Sequence, residues 1–446
     1  MRFTFGELAE ALDADFVGGE DPGTSVEGLG IDSRTIDPGQ LFAAVTDVRD
    51  GHDFVGAARV AGAAGALVDR LVDGGPSLVV PDVQHALPAL ARFARSRLEG
   101  PVIGVTGSVG KTTTKDLLAA VLGTTMVTAS SQRSFNNELG VPITLANAVE
   151  HTRATVIEMG ARGRGHIEFL CSMAEPTVGV VTAVHAVHTE VMGDEDQIAR
   201  TKGELIEHLP DTGLAVLNSD DHRVAAMSGL TRAPVITFGT GASADVRATD
   251  LRTDDDLRTR FNIDSPWGHM EIHLGARGVH NVGNAAAAAA VGLWAGVPPE
   301  AVVEGLGTAL SSPWRMELHR TSSGLVVLND AYNAGPASMA AALQSLADLP
   351  AQRRVAVLGI MAELGDRAVV EHRRIAELAD HLGVELVAID TDLYGPAPIG
   401  LAESVAEMTE MGMLGHGTAV LVKGSRVAGM EDLARALVEH AGGPHP

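Results

Sequence analysis

The chain has 446 residues, 45% of them hydrophobic, with a formal net charge of −24 at pH 7. That length exceeds what one core organises and predicts about three domains. The acidic balance excludes a general binder of nucleic acid or membrane surfaces, which rely on basic fields, but leaves nucleotide binding open. Backbone N–H groups and one or two local cations suffice to hold phosphates. No apolar stretch reaches the ~18 residues of a membrane span. The first residues, Met1 to Leu8, lack the apolar core of an export signal, and the single Cys171 forms neither an internal disulfide nor a cysteine metal cluster. A soluble, cytoplasmic, monomeric protein is expected.

Residues 1 to about 98 read as short alternating stretches, with strand-like runs at 41–45 and 66–68 and a helical pattern over 84–98. Gly100-Pro101 closes that segment. From there, buried-strand runs at 102–106, 154–158, 178–182, 214–217 and 235–238 are separated by helical stretches. Such alternation predicts a parallel sheet covered on both faces. A more polar stretch over 244–275 predicts added antiparallel strands, followed by an alanine-rich helix over 281–295. Beyond about 312, strand runs at 324–328, 354–358, 385–389 and 419–422 predict a second doubly wound unit. The fold class is therefore α/β, in three domains spanning 1–98, 99–311 and 312–446.

Only four lysines occur, Lys111, Lys115, Lys202 and Lys423, against 29 arginines (33 basic residues less four). Where any surface cation will do, this chain uses arginine. Its lysines therefore mark places where a compact, deprotonatable amine is needed. Lys111 lies in the run Gly107-Ser108-Val109-Gly110-Lys111-Thr112-Thr113, which follows a buried strand and opens a helix. In such a loop backbone N–H groups cradle phosphate, the lysine reaches the β and γ phosphates, and the threonine meets magnesium. Val105 stands where the standard motif has its first glycine, so the loop is a shortened variant; a glycine-rich turn with an incidental lysine is the alternative. Glu158 ends the strand run 154–158, where a carboxylate reaches a nucleotide's metal or caps the next element. His188 and Lys202, fourteen residues apart, each also fit ordinary structural roles. Arg315, Asp330, Tyr332 and Asn333 flank another buried strand, and Lys423-Gly424-Ser425-Arg426 follows the last one, as an anion site or a plain helix start.

Taken in order, these segments resemble the Mur ligases, the ATP-dependent amide-forming enzymes of peptidoglycan precursor synthesis. Further matching segments are Asp32-Ser33-Arg34, Asp50-Gly51-His52-Asp53-Phe54, Asn136-Asn137-Glu138-Leu139-Gly140, Glu158-Met159-Gly160-Ala161, Lys202-Gly203-Glu204, His280-Asn281 with Asn284, and Met361-Ala362-Glu363-Leu364-Gly365. Asp330-Ala331-Tyr332-Asn333 and Lys423-Gly424-Ser425-Arg426 point to the branch that adds D-alanyl-D-alanine to UDP-N-acetylmuramoyl-tripeptide. The chain departs from the family pattern at Gly335, at Ile360 and over Arg162 to His166.

The resemblance implies an N-terminal domain for the UDP-linked substrate, a central ATP-binding domain and a C-terminal Rossmann-like domain. It implies ATP, two magnesium ions and a carbamate on Lys202. Lys111 would steady the transferring phosphate, Thr112 and Glu158 would hold one ion, and His188 and carbamylated Lys202 the other. Asn281 and Asn284 would meet the adenine, Arg315 the γ-phosphate and Asp330 the ribose. Ser33 and Arg34 would hold the UDP end, with Asn333, Lys423, Ser425 and Arg426 on the peptide side. Whether the tripeptide ends in diaminopimelate or lysine stays open. Two other readings compete: a relative adding a diamino acid or polyglutamate, and a nucleotide-binding regulator without ligase activity.

Overall fold

In the computed structural model, which describes residues 1–19, 21–132, 135–185 and 194–443, three main sheets follow one another along the chain. The central sheet has nine strands. Their spatial order is Gly268–Arg277, Arg258–Ser265, Val246–Thr253, Val235–Gly239, Leu214–Asn218, Val178–Val181, Val102–Thr106, Ala154–Glu158 and Thr128–Ser130. Pairing is parallel from Thr128–Ser130 through Val246–Thr253 and antiparallel across the last two pairs. The polar stretch thus adds the expected antiparallel strands, after Val246–Thr253 has joined the sheet in parallel.

Every residue of Val102–Thr106 and Ala154–Glu158 is buried. This is what helices on both faces of a parallel sheet impose, and it explains why these strands read as apolar runs rather than as alternations. One face packs on Lys111–Gly123 and Asn281–Trp294, through Ile103, Val105, Leu117, Leu118 and a row of alanines. The alanines and Gly292 let the two helices approach closely: a Cβ on Gly292 would fall 2.5 Å from Cγ1 of Val121. The other face packs on His166–Ala174 and Glu195–Glu207, through Ile157, Ile167, Leu170, Ile198 and Leu205.

The first sheet orders as Asp15–Val17, Ser77–Val79, Gly65–Val68, Leu41–Ala43 and Leu29–Gly30, with only Asp15–Val17 antiparallel. Helix Val83–Ser96, capped by Asp82, carries this domain's core into that of the central domain. Asn147 stitches the same junction, its side-chain amide exchanging two 2.8 Å hydrogen bonds with the backbone of Leu29.

The third sheet orders as Glu317–Arg320, Val326–Asn329, Thr418–Lys423, Arg353–Leu358 and Glu385–Ala388, parallel apart from Glu317–Arg320. Core clusters cover both of its faces, as a doubly wound unit requires. One residue in that core comes from elsewhere. Leu257, at the turn between Val246–Thr253 and Arg258–Ser265, is 1% exposed and joins the third-sheet cluster with Met316 and Leu328.

Candidate active site

The carboxyl ends of the central strands and those of the third sheet open onto one cavity of about 830 Å³. Its walls carry Gly107, Ser108, Val109, Gly110, Lys111, Thr112, Thr113, Glu158, Lys202, Asn281 and Asn284 from the central unit. From the third come Arg315, Asp330, Asn333, Lys423, Ser425 and Arg426. Ligands bind beyond strand carboxyl ends in open α/β sheets, and here two such edges share one space. Ser33 and Arg34 are not part of this lining. They lie on the first domain, where Arg34 pairs with Asp32 at 2.6 Å and lowers that carboxyl to about 2. His188 lies outside the described residues.

The phosphate loop is set by Gly110, the N-cap of helix Lys111–Gly123, with φ of 83°. A side chain there would be strained, and its Cβ would fall 2.5 Å from Oδ1 of Asn284. Below the loop, the hydroxyl of Thr182 donates to the carbonyl of Val109 at 2.5 Å, and Ser108 and His185 exchange hydrogen bonds of 3.0 and 2.9 Å. The ammonium of Lys111 donates to the carbonyl of Gly107 at 2.8 Å. Burial pushes that amine below the usual lysine range, Glu158 opposing the effect and Arg315 adding to it.

Glu158 is 1% exposed. Its Oε1 accepts from Nδ2 of Asn136 at 2.8 Å, while Oε2 has no hydrogen-bond partner among the described residues. A buried carboxylate oxygen left without a donor is costly in an apolar surround and is the acceptor a divalent cation takes. Lys202 is 3% exposed on helix Glu195–Glu207. Burial holds its pKa well below the ordinary value, and the charge of Lys111 lowers it further. The surroundings therefore disfavour the charged form of this amine.

On the opposite wall, Nη2 of Arg315 donates to the hydroxyl of Thr112 at 2.9 Å, and its guanidinium lies 4.3 Å from the ring centre of Tyr332. Arg315 Nε is buried without a partner among the described residues. Asp330 accepts from the backbone of Met316 at 3.2 Å and forms a short ion pair with Lys423, whose ammonium also donates to the carbonyl of Asn333 at 2.9 Å. Burial lowers the Lys423 pKa, opposed by Asp330. Lys423 is thus engaged in holding the Asp330–Asn333 loop. Ser425 accepts from the backbone of Ala362 at 2.9 Å, joining a second cavity loop to the first. The exposed Arg426 pairs with Glu431 and lies over the ring of Trp314 at 4.6 Å. Asn281 and Asn284 are buried and linked by a 2.8 Å hydrogen bond behind the loop.

Family models describing the Mur ligase middle domain and the Mur ligase glutamate ligase domain match residues 105–292 and 314–442. The chain belongs to the Mur ligase family. A UDP-N-acetylmuramoyl-tripeptide–D-alanyl-D-alanine ligase of Mycobacterium tuberculosis is 39% identical to it, with 91% of each chain covered. The crystal structure of MurF from Acinetobacter baumannii, 30% identical, superposes with a TM-score of 0.88 and covers 98% of this chain and 99% of that one. MurF ligase from Thermotoga maritima in complex with ADP, 26% identical, gives 0.80 with 93% and 99% covered. The three-domain Mur ligase architecture accounts for the three sheets.

This Mur ligase also uses residues to which sequence reading gave no role. Asn136 orients Glu158, Thr182 supports the loop from beneath, and Asn218 donates to the carbonyl of Thr182 at 2.8 Å. Asn136 stood inside a family segment but carried no chemistry of its own. Lys115, the remaining lysine, is buried against Ser131 and Asp116, and its rarity was the only available signal.

Proposed function

We propose that this chain joins D-alanyl-D-alanine to UDP-N-acetylmuramoyl-tripeptide with conversion of ATP to ADP and phosphate. The observation that carries the proposal is the meeting, in one cavity, of a phosphate loop, a buried carboxylate with an oxygen unpartnered among the described residues, and a buried lysine. A carboxylate is a poor electrophile with a poor leaving group. Attack of its oxygen on the γ-phosphorus of ATP releases ADP and gives an acyl phosphate. The dipeptide's amine then attacks the carbonyl carbon and phosphate departs with one of the original carboxylate oxygens. Catalysis of this kind is positioning and charge stabilisation.

In this reading Lys111 and Arg315 flank the transferring phosphoryl group from the two sides of the cavity. Asn281 and Asn284 face the adenine and Asp330 the ribose, with Lys423 fixing Asp330. Ser33 and Arg34 hold the UDP end, and Asn333, Ser425 and Arg426 face the peptide or dipeptide. The open oxygen of Glu158, beside Thr112 in the cavity lining, fits a magnesium ion, and the family resemblance would give a second to Lys202 with His188. When bound, magnesium neutralises charge on the phosphate oxygens. With its charged form disfavoured by burial, Lys202 could take up carbon dioxide with loss of a proton; the resulting anionic carbamate would be a metal ligand that a guanidinium cannot imitate. The three domains divide near residues 98 and 311, and the protein acts as a cytoplasmic monomer; among the described residues no helix is long and apolar enough to cross a membrane.

Mass spectrometry of products formed from ATP, D-alanyl-D-alanine and each UDP-tripeptide, ending in diaminopimelate or in lysine, tests the assignment. One or both tripeptides gain the dipeptide residue. Gain of a single amino acid in place of the dipeptide would support a different family member, and ATP binding without any product a regulator.

A further inference from the structure

The segment that crosses into the third domain is fastened to one face of the phosphate-loop helix. Thr112 and Asp116 sit four residues apart on Lys111–Gly123 and therefore on the same side of it. Thr112 receives Nη2 of Arg315, and Oδ2 of Asp116 accepts both the backbone N–H and the hydroxyl of Ser312, at 2.9 and 2.7 Å. The other oxygen of Asp116 meets the ammonium of Lys115 at 2.6 Å, and that ammonium donates to the carbonyl of Ser131 at 2.9 Å. The Lys115 and Asp116 side chains are 4% and 14% exposed, so solvent screens this pair far less than a surface one.

The crossing segment itself is strained. Trp314 and Met316, on either side of Arg315, have φ of 60° and 51°. Side chains other than glycine enter this region at a cost, and persist there when surrounding contacts hold them. Asp330 holds Met316 on the third-domain side. Ser312 is the matching anchor on the central side, three residues before Arg315.

We propose that Lys115, Asp116 and Ser312 form a clasp that positions Arg315 over the phosphate loop. The proposal rests on Arg315 meeting the transferring phosphoryl group. Asp116 takes both donors of Ser312 and fixes where the strained turn begins. Lys115 neutralises Asp116, so that a carboxylate one helical turn from the loop does not repel phosphate, and ties the clasp to Ser131. The hydroxyl of Ser131 accepts from the backbone N–H of Glu158 at 3.2 Å, which puts the clasp and the metal-side carboxylate on one network. These are positioning residues.

Steady-state kinetics of Ser312→Ala and Asp116→Asn, each alone and combined with Arg315→Ala, test this in the full ligase reaction. Each single clasp variant is expected to lower kcat about tenfold, with the KM for ATP and the melting temperature nearly unchanged. In the Arg315→Ala background the same changes lower kcat by less than about twofold, because they act through Arg315. Losses that multiply fully with Arg315→Ala would overturn the clasp while leaving the Arg315 assignment intact. If Asp116→Asn melts early, Ser312→Ala alone decides the outcome, since it deletes only a hydroxyl. Wild-type turnover in Arg315→Ala would remove the role of Arg315 and the clasp together.

Discussion

Lys202 is the residue on which the chemistry is most exposed to test. Arginine keeps the charge but cannot become a carbamate, so Lys202→Arg is expected to lose at least about 100-fold in kcat while still binding ATP, and Lys202→Ala to recover part of its activity with small added carboxylates. Near-normal turnover of Lys202→Arg would rule out the carbamate. A second prediction follows from burial. The folded-state pKa of Lys202 lies well below its ordinary 10.5, so the unfolded chain binds more protons. The penalty for burying this amine is full below the folded pKa and fades as pH rises toward the unfolded value. In carbonate-free buffer Lys202→Met should melt higher than the parent near neutrality, with the advantage shrinking toward about pH 10. A gap that stays constant across that range would show that the fold does not lower the Lys202 pKa.

At the scale of elements, legibility followed burial. Strands covered on both faces, such as Val102–Thr106 and Ala154–Glu158, read directly as apolar runs bounded by turns. Strands of two or three residues in the first sheet, such as Leu29–Gly30 and Asp15–Val17, carry too few side chains to show a period, and tertiary pairing alone makes them strands. Glu317–Arg320 was missed for a related reason: its alternating polar residues sit at a sheet edge with little of it buried. In the site, Lys111 and Glu158 were legible from their type and place after buried strands, Lys202 from the rarity of lysine, and Arg315 through the family resemblance; all four line one cavity. Asn136, Thr182 and Asp116 were not, because their importance lies in what they touch, and contacts between segments leave no local pattern.

Leu257 is an element-scale feature of this second kind. A turn of the central sheet places it, at φ of 62°, in the third-sheet core, and Arg320 pairs with the neighbouring Asp256 at 2.6 Å. Leu257→Ala removes a buried side chain shared by two domains. It should destabilise the protein by about 2–4 kcal/mol. Denaturant titration followed by a probe in the third domain checks this; a loss below about 0.5 kcal/mol would mean that Leu257 packs without anchoring.

Across the whole molecule, the three sheets reduce to one arrangement: two parallel-sheet edges facing each other over a shared cavity, with the segment 312–316 crossing between them. Neither edge holds the complete site. The central one supplies the phosphate loop, Glu158 and Lys202, while the third supplies Arg315 and the Asp330–Lys423 pair. The proposed reaction needs both, because Lys111 and Arg315 would flank the transferring phosphoryl group from opposite sides of the cavity. The central claim is this activation, and the fate of oxygen reports it most directly. With the terminal carboxylate of the UDP-tripeptide labelled with oxygen-18, and ATP and D-alanyl-D-alanine supplied, each phosphate released with product should carry one labelled oxygen. Unlabelled phosphate accompanying amide product would contradict transfer of the phosphoryl group to the carboxylate, and with it the mechanism proposed for this chain.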